Sequence, residues 1–405
     1  MHYRLIHSIS SFLALSVCFI ATLATAFSVF AATEEEKRLD RAWQAMPKVL
    51  SRFEPLVNDF RISLHYATSE QLLLPKIQQH GEALWHKATL DAKQHNHHDD
   101  RSFYWARLMM TKALRDWCTK QHCDDLPTLE QQLELSSRGQ LNLTFSEQSD
   151  IRILLTGFDP FLLDRNLDQS NPSGVTALML NGWVFQHQGK QVEVQSAMIP
   201  VRFADFDQGM IEQLLTPLLQ QNRIDMLLTV SMGREHFDLE HFPGRRRSAE
   251  APDNLNVFTG GSGSNPVLPL LHGEPLEGPE FVVYSLPYSA MMQAEGRFQI
   301  NDNRNVTTLE RGEFAAQSLA ELAEQTAVQG GGGGYLSNEI SYRSILLRDS
   351  YAPELPVGHI HTPRIAAFAP ETTAAIVQQI KQMIRLASAS IAENAATISE
   401  DEPLL

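Results

Sequence analysis

Ile151-Arg152-Ile153-Leu154-Leu155-Thr156-Gly157-Phe158-Asp159-Pro160-Phe161 is an apolar run that stops in glycine, proline and two phenylalanines. A short apolar run ended by turn residues reads as a buried strand whose carboxyl end opens into a loop. Beyond it the pattern alternates, with a helix expected near 174–183, a strand over 192–199, a helix over 205–220 and a strand over 224–230. That alternation predicts an α/β domain with a twisted, mostly parallel central sheet and helices on both faces. Further strands fit 280–285 and 360–362, and a closing helix fits 370–395.

On the other side of Ile151 the texture differs. Trp43, Met46, Val49, Leu50, Phe53 and Leu56 recur at spacings of three and four, as do Trp105, Leu108, Met109, Ala113, Leu114 and Trp117 within 102–119. Such spacing lays one apolar stripe along a helix and predicts an all-helical N-terminal extension. The expected organisation is a signal peptide over 1–32, a helical accessory domain over 33–148, the α/β domain over 149–398 and an acidic tail over 399–405.

The first 31 residues carry a single formal charge, Arg4, ahead of an apolar run from Ile9 to Ala32. They read as an export signal, with small residues placed for cleavage after Ala26 or Ala31. Retained, the run is long enough to anchor the chain in a bilayer; otherwise the protein is expected to be periplasmic or secreted. Cys118 and Cys123 then form a lone pair in an oxidising compartment, where a disulfide is expected. Their spacing matches no zinc pattern, and His95-Asn96-His97-His98-Asp99-Asp100 has ligand types without a regular spacing, so it reads as a solvated turn. A net charge of −15 opposes nucleic-acid binding, and Arg245-Arg246-Arg247 reads as a solvated loop. Homo-oligomerisation is left open.

Chemistry in such folds gathers at the carboxyl ends of strands. Three loops stand out there. One is the Thr156–Phe161 turn with Asn171-Pro172-Ser173. The next runs from Ser231-Met232-Gly233 through Glu240 to Pro252-Asp253-Asn254. The last holds Gly330 to Gly334, then Tyr335-Leu336-Ser337-Asn338, with His361 24 residues after Ser337. Together they offer a hydroxyl, an imidazole and a carboxylate, the inventory for nucleophilic acyl transfer. The glycine run reads on its own as a flexible surface loop, and also suits a nucleophile turn with close backbone approach.

The ordered set Thr-Gly-Phe-Asp-Pro-Phe, Asn-Pro-Ser, a glutamate twelve residues before Pro-Asp-Asn, an aromatic two before the nucleophile position, and His-x-Pro resembles pyroglutamyl peptidase I, over residues from about 150 to 365. The resemblance implies removal of N-terminal pyroglutamate from peptides without metal or organic cofactor. It implies His361 as general base and then acid, Glu240 as the group orienting it, and Ser337 as nucleophile. Phe158 and Phe161 would hold the lactam ring, with Asn171 as a further substrate-binding candidate. Backbone N–H groups around Ser337 would bind the oxyanion.

Two positions depart from the family pattern. Ser337 stands where the family has cysteine, and a hydroxyl must lose its proton during attack, whereas a thiol beside an imidazole is readily ionised. Outside the cytoplasm that exchange removes a thiol exposed to oxidation or mispairing. Glu250 stands where an arginine near the scissile carbonyl is usual; one of Arg245 to Arg247 would have to swing in to replace it. The alternatives are a non-catalytic relative that binds peptide termini and a hydrolase of shifted substrate.

Overall fold

The computed structural model describes residues 32–67, 69–141 and 143–400. The expected export signal and residues 401–405 of the acidic tail lie outside the described residues.

The N-terminal part is helical, with α1 Glu34–Lys37, α2 Leu39–Ala45, α3 Pro47–Leu50, α4 Glu54–His65, α5 Glu70–Gln94, α6 Arg101–Gln121 and α7 Leu126–Ser137. The stripe read from the sequence is real: Trp105, Leu108, Met109, Leu114 and Trp117 on α6 are all buried. Arg107 on the same helix is also buried, because α6 has a second covered side facing the α/β domain. His122 closes α6 in a left-handed conformation (φ 56°), which turns the chain back. Cys118 and Cys123 are joined in a disulfide across that turn, with Cα atoms 4.9 Å apart.

Residues 95–100 correct the expectation of a solvated turn. His98, Asp99 and Asp100 are buried, and Asp99 holds Arg101 through two bonds of 2.8 Å. Polar composition alone signals exposure only when the polar groups have no partners inside.

The α/β part begins with β1 Ile151–Phe158, α8 Pro172–Leu180, β2 Trp183–His187, β3 Lys190–Ile199, α9 Phe203–Asp207, α10 Met210–Gln220, β4 Met226–Met232 and β5 Phe237–Glu240. It continues with β6 Leu270–Leu271, β7 Glu274–Pro275, α11 Tyr288–Met291, β8 Ile300–Asn303, β9 Asn305–Thr308, β10 Gly312–Ala315, β11 Ala327–Gln329, α12 Leu336–Tyr351, β12 Val357–Thr362 and α13 Pro370–Glu400. Seven strands form the main sheet in the order β2-β3-β1-β4-β12-β5-β8, with β9, β10 and β11 in a side sheet. β3, β1, β4 and β12 are parallel, while β2 and β5 run against β3 and β12. Helices cover both faces, α8 packing with α13 and α10 with α12.

β1 is central, and Ile153, Leu154 and Leu155 are wholly buried, each removing apolar surface at about 1.5–3 kcal/mol. The expected helix over 205–220 is split at Gly209, whose φ of 78° ends α9 and starts α10. Trp183 opens β2 instead of ending a helix. The expected strand at 280–285 is absent, leaving only an isolated bridge from Phe281 to Gly244. Val282 and Tyr284 N–H donate to Pro243 and His241 in one antiparallel register, but the return bonds are missing, because Pro243 has no N–H and His241 N–H goes to Asn303, so no ladder extends.

Candidate active site

Parallel β1, β4 and β12 end at the same edge of the sheet, and their loops meet there. Phe158 and Phe161 from β1 and its turn, Asn171 at the start of α8, Ser231 and Met232 at the end of β4, and Tyr335 and Ser337 at the start of α12 line one cavity of about 40 Å³. The three expected substrate-binding residues and the expected nucleophile are therefore brought together. Asn171 spends its amide on structure: its oxygen accepts from Ser173 N–H at 3.1 Å and its nitrogen donates to the Asp159 carbonyl at 3.0 Å. It shapes the wall with its body more than with free polar atoms. The cavity suits a small, mainly apolar group, since on the order of 10–15 Å³ already holds one water.

His361 lies on β12, and Glu240 reaches it from the antiparallel neighbour β5. His361 pairs in register with Asp238, so Glu240, two residues on, shares a face with Asp238 and approaches diagonally. The carboxyl edge alone thus does not supply the pair. Glu240 comes from a strand running the other way.

The His361 Nδ1 to Glu240 Oε1 distance is 2.5 Å, and Asn303 Nδ2 donates to the other carboxylate oxygen at 2.7 Å. Burial pushes the Glu240 carboxyl above its ordinary value, and the charge and hydrogen bond of His361 pull against that rise. With Nδ1–H donated to Glu240, Nε2 is left as the basic nitrogen. Beneath it His359 shares the face, its ring edge-on at 4.8 Å, bonded to Thr229 at Nδ1 and Ser231 at Nε2. Burial and the neighbouring His361 hold His359 well below the ordinary imidazole value, so His359 places no positive charge under that ring.

The five glycines are not a flexible surface loop. Gly330, Gly331, Gly332 and Gly334 are buried, and a Cβ at Gly331 would lie 2.6 Å from Glu240 Oε2. One at Gly330 would lie 2.1 Å from Asn338 Oδ1 and one at Gly334 would meet Ser248 Oγ at 2.0 Å. The loop is fixed to the chain after Glu240, because Asn338 accepts from Gly244 N–H at 2.9 Å and donates to its carbonyl at 2.6 Å. This clamp sets the start of α12 against Glu240.

Ser337 is the second residue of α12, where unpaired backbone N–H groups favour negative charge. The N-cap residue Tyr335 makes no side-chain cap and sends its hydroxyl to the Pro252 carbonyl at 2.9 Å. The Ser337 hydroxyl donates to the Gly332 carbonyl at 3.1 Å, so here it is turned to the glycine loop and not to His361.

The arginine cluster is also corrected. Arg245 and Arg246 both hold Glu280, and buried Arg247 holds Glu339 of α12 and Asp207. All three are committed to ion pairs, and none turns toward the cavity to replace the arginine missing at Glu250, which is exposed. Asp253 accepts from Phe203, Leu255 and Val257 N–H groups, and Asn254 donates to the Pro160 carbonyl at 2.9 Å. That motif supports the turn carrying Phe161.

His359 and Asn303 were not singled out from the sequence, and Asn338 entered only as the residue after the nucleophile position. His359 could have been, since it precedes His361 by two on an evident strand and must share its face. Asn303 gave no such signal, and the clamp made by Asn338 could not be read, because their partners come from distant segments. Among the described residues no group of His, Cys, Asp and Glu side chains is placed to hold a metal ion.

Fold and site together define a mostly parallel α/β protein with a buried Glu-His pair beside a serine-bearing helix start. Residues 20–134 match the model of the PA0049 N-terminal domain, and residues 152–275 and 280–366 that of the PA0049 C-terminal domain. The chain belongs to the PA0049 family. It is 28% identical over 390 residues to the uncharacterized protein PA0049 of Pseudomonas aeruginosa, covering 73% of this chain and 70% of that one. Among solved structures it is similar to a mutant pyrrolidone carboxyl peptidase from Pyrococcus furiosus, at 19% identity and a TM-score of 0.39 over 60% of this chain and 100% of that one. It is also similar to pyroglutamyl peptidase I of Bacillus amyloliquefaciens, at 18% identity and a TM-score of 0.39 over 59% and 98%. Likeness at that level leaves function to be read from the residues.

Proposed function

We propose that the chain is a peptidase-like hydrolase that removes N-terminal pyroglutamate from peptides in an exported compartment, through Ser337, His361 and Glu240. The observation that carries this reading is the 2.5 Å pair between Glu240 and His361, held by Asn303 and the glycine loop beside a serine at a helix start. In the proposed reaction the Ser337 hydroxyl turns from Gly332 to His361 when substrate enters. His361 Nε2 takes the hydroxyl proton as Oγ bonds to the pyroglutamyl carbonyl carbon, and Glu240 stabilises the imidazolium. Amides at the start of α12 receive the oxyanion. The C–N bond then breaks as His361 returns the proton to the leaving amine, and water, deprotonated by His361, releases pyroglutamate from the serine ester. Phe158 and Phe161 would enclose the lactam.

The bond from Ser337 to Gly332 favours a second reading, a non-catalytic relative that binds peptide termini in the same cavity. Hydrolysis of a fluorogenic pyroglutamyl amide by the mature chain, beside Ser337→Ala and Ser337→Cys, separates the two. Turnover in the native chain that vanishes in Ser337→Ala supports the serine hydrolase. A silent native chain with an active Ser337→Cys supports the binder or a hydrolase of another substrate. Silence in all three removes the pyroglutamyl reading.

A further inference from the structure

The wall of the cavity is fastened from outside its own domain. Asp100, the N-cap residue of α6, is wholly buried, and its carboxyl group accepts from the Ser170 hydroxyl at 2.6 Å and from Asn171 N–H at 3.1 Å. Asn171 in turn donates to the Asp159 carbonyl, and Ser173 Oγ accepts from Phe158 N–H at 3.1 Å. On the other side of the turn Arg107, also wholly buried, donates to Asp159 Oδ2 at 2.8 Å and to Glu134 at 2.9 Å. Arg138 reaches the same Asp159 oxygen at 2.8 Å. The contact is too close for further side chains, since a Cβ at Gly174 would lie 2.7 Å from Asp100 Oδ2 and 2.5 Å from the Phe158 carbonyl.

Beside the bonds from Ser173 and Asn254 inside the α/β domain, the Phe158–Phe161 turn and Asn171 are therefore tied to the helical domain through Asp159 and Asp100. A buried ion pair tolerates little displacement, because moving one partner strands the other's charge.

We infer that the helical domain completes the pocket, with Asp100 and Arg107 as positioning residues that set the aromatic wall of the cavity. This rests on the proposed function for its substrate, and it assigns the extension a role beyond covering or stabilising the fold. Ser337, His361 and Glu240 stand on α12, β12 and β5 and share none of these anchors. Loosening the wall weakens binding of the ring while leaving the nucleophile in place, which is the signature of raised KM with retained kcat.

The test is steady-state hydrolysis of the pyroglutamyl amide by the full mature chain with Asp100→Ala, Asp100→Asn and Arg107→Met. Labelling of Ser337 by a fluorophosphonate and hydrogen exchange over residues 157–176 are measured beside it. The expected result is a KM raised about 10-fold in Asp100→Ala and Arg107→Met, within the up to 10²-fold that a misplacement near 1 Å can cost. The kcat and the labelling rate stay within about twofold. Asp100→Asn, which keeps an acceptor for Ser170 and Asn171, should restore most of the binding. Faster exchange confined to 157–176 accompanies the loss. An unchanged KM with unchanged exchange overturns the inference, as does a parallel fall of kcat, labelling and global protection. If the native chain does not turn over the amide, the proposed substrate falls, and the exchange pattern alone decides the positioning role: loss confined to 157–176 sustains it, and no loss or global loss ends it.

Discussion

Glu240 is a buried carboxylate whose worth depends on what it holds. Its bond to His361 Nδ1 selects the tautomer that leaves Nε2 free, and replacing it by glutamine keeps the shape while removing the charge that stabilises an imidazolium. Glu240→Gln is expected to lower kcat about 10³–10⁴-fold with KM little changed, by the logic of an aspartate-to-asparagine change in a serine triad. A measured drop under tenfold would remove Glu240 from the mechanism. Gly331 reports on the same group from the other side, since its Cβ would lie 2.6 Å from Glu240 Oε2. Gly331→Ala should therefore reduce turnover roughly 10²-fold through displacement of the carboxylate, with a thermal unfolding midpoint close to that of the native chain. Glu240, Ser337 and His361 were picked out because each falls at an ordered offset from a motif of the resemblance, Glu240 twelve residues before Pro252. Asn303 and Gly331 acquire meaning only when β5, β8 and the glycine loop are set side by side, which no local pattern encodes.

Elements were read well where burial was uniform and poorly where partners were distant. β1, β3, β4 and α6 follow from apolar runs and stripes that a core demands. β5 and β8, four residues each, are too short to show a period, yet β5 carries Glu240. The junction before α6 misled for the opposite reason, since His98, Asp99 and Asp100 look like a wet turn and are buried. Burial raises the Asp100 carboxyl to about 8, against the bonds from Ser170 and Asn171 that lower it. Between the unfolded value of 3.8 and about 8 the native state keeps a proton that the unfolded chain has released. The unfolded state binds fewer protons there, so stability falls as pH rises through that window. Urea midpoints at pH 5 and pH 7.5 should show the native chain less stable at the higher pH, and Asp100→Asn should flatten the difference. Equal slopes in the two proteins would mean that Asp100 is ionised throughout.

The molecule as a whole is held together by charge across its domain junction. Arg107 and Arg138 of the helical part close on Asp159 of the α/β part, and Arg202 crosses back to Glu35 and Glu134. Partial burial alone would raise the Glu134 carboxyl, but Arg107, Arg138 and Arg202 hold it well below the usual carboxylate range. Arg38 adds a bond of 2.6 Å to the Asn254 carbonyl, beside the turn that carries Phe161. The helical stripe announced a separate domain, but a stripe has no way to show which charged residues on its other face will be buried. Cutting at the junction would leave Asp159 without its arginine partners and Arg202 with Asp205 alone, and stranding one member of a buried pair costs about 3–5 kcal/mol. That loss is comparable with the lower end of the 5–15 kcal/mol that typically separates folded from unfolded states. Residues 149–398 expressed alone are thus expected to lack a cooperative thermal transition by circular dichroism, while a chain of residues 33–398 unfolds sharply. Recovery on adding residues 33–148 in trans would show that the junction itself supplies the missing stability, and a sharp transition in 149–398 alone would show that Asp159 can be left unpaired.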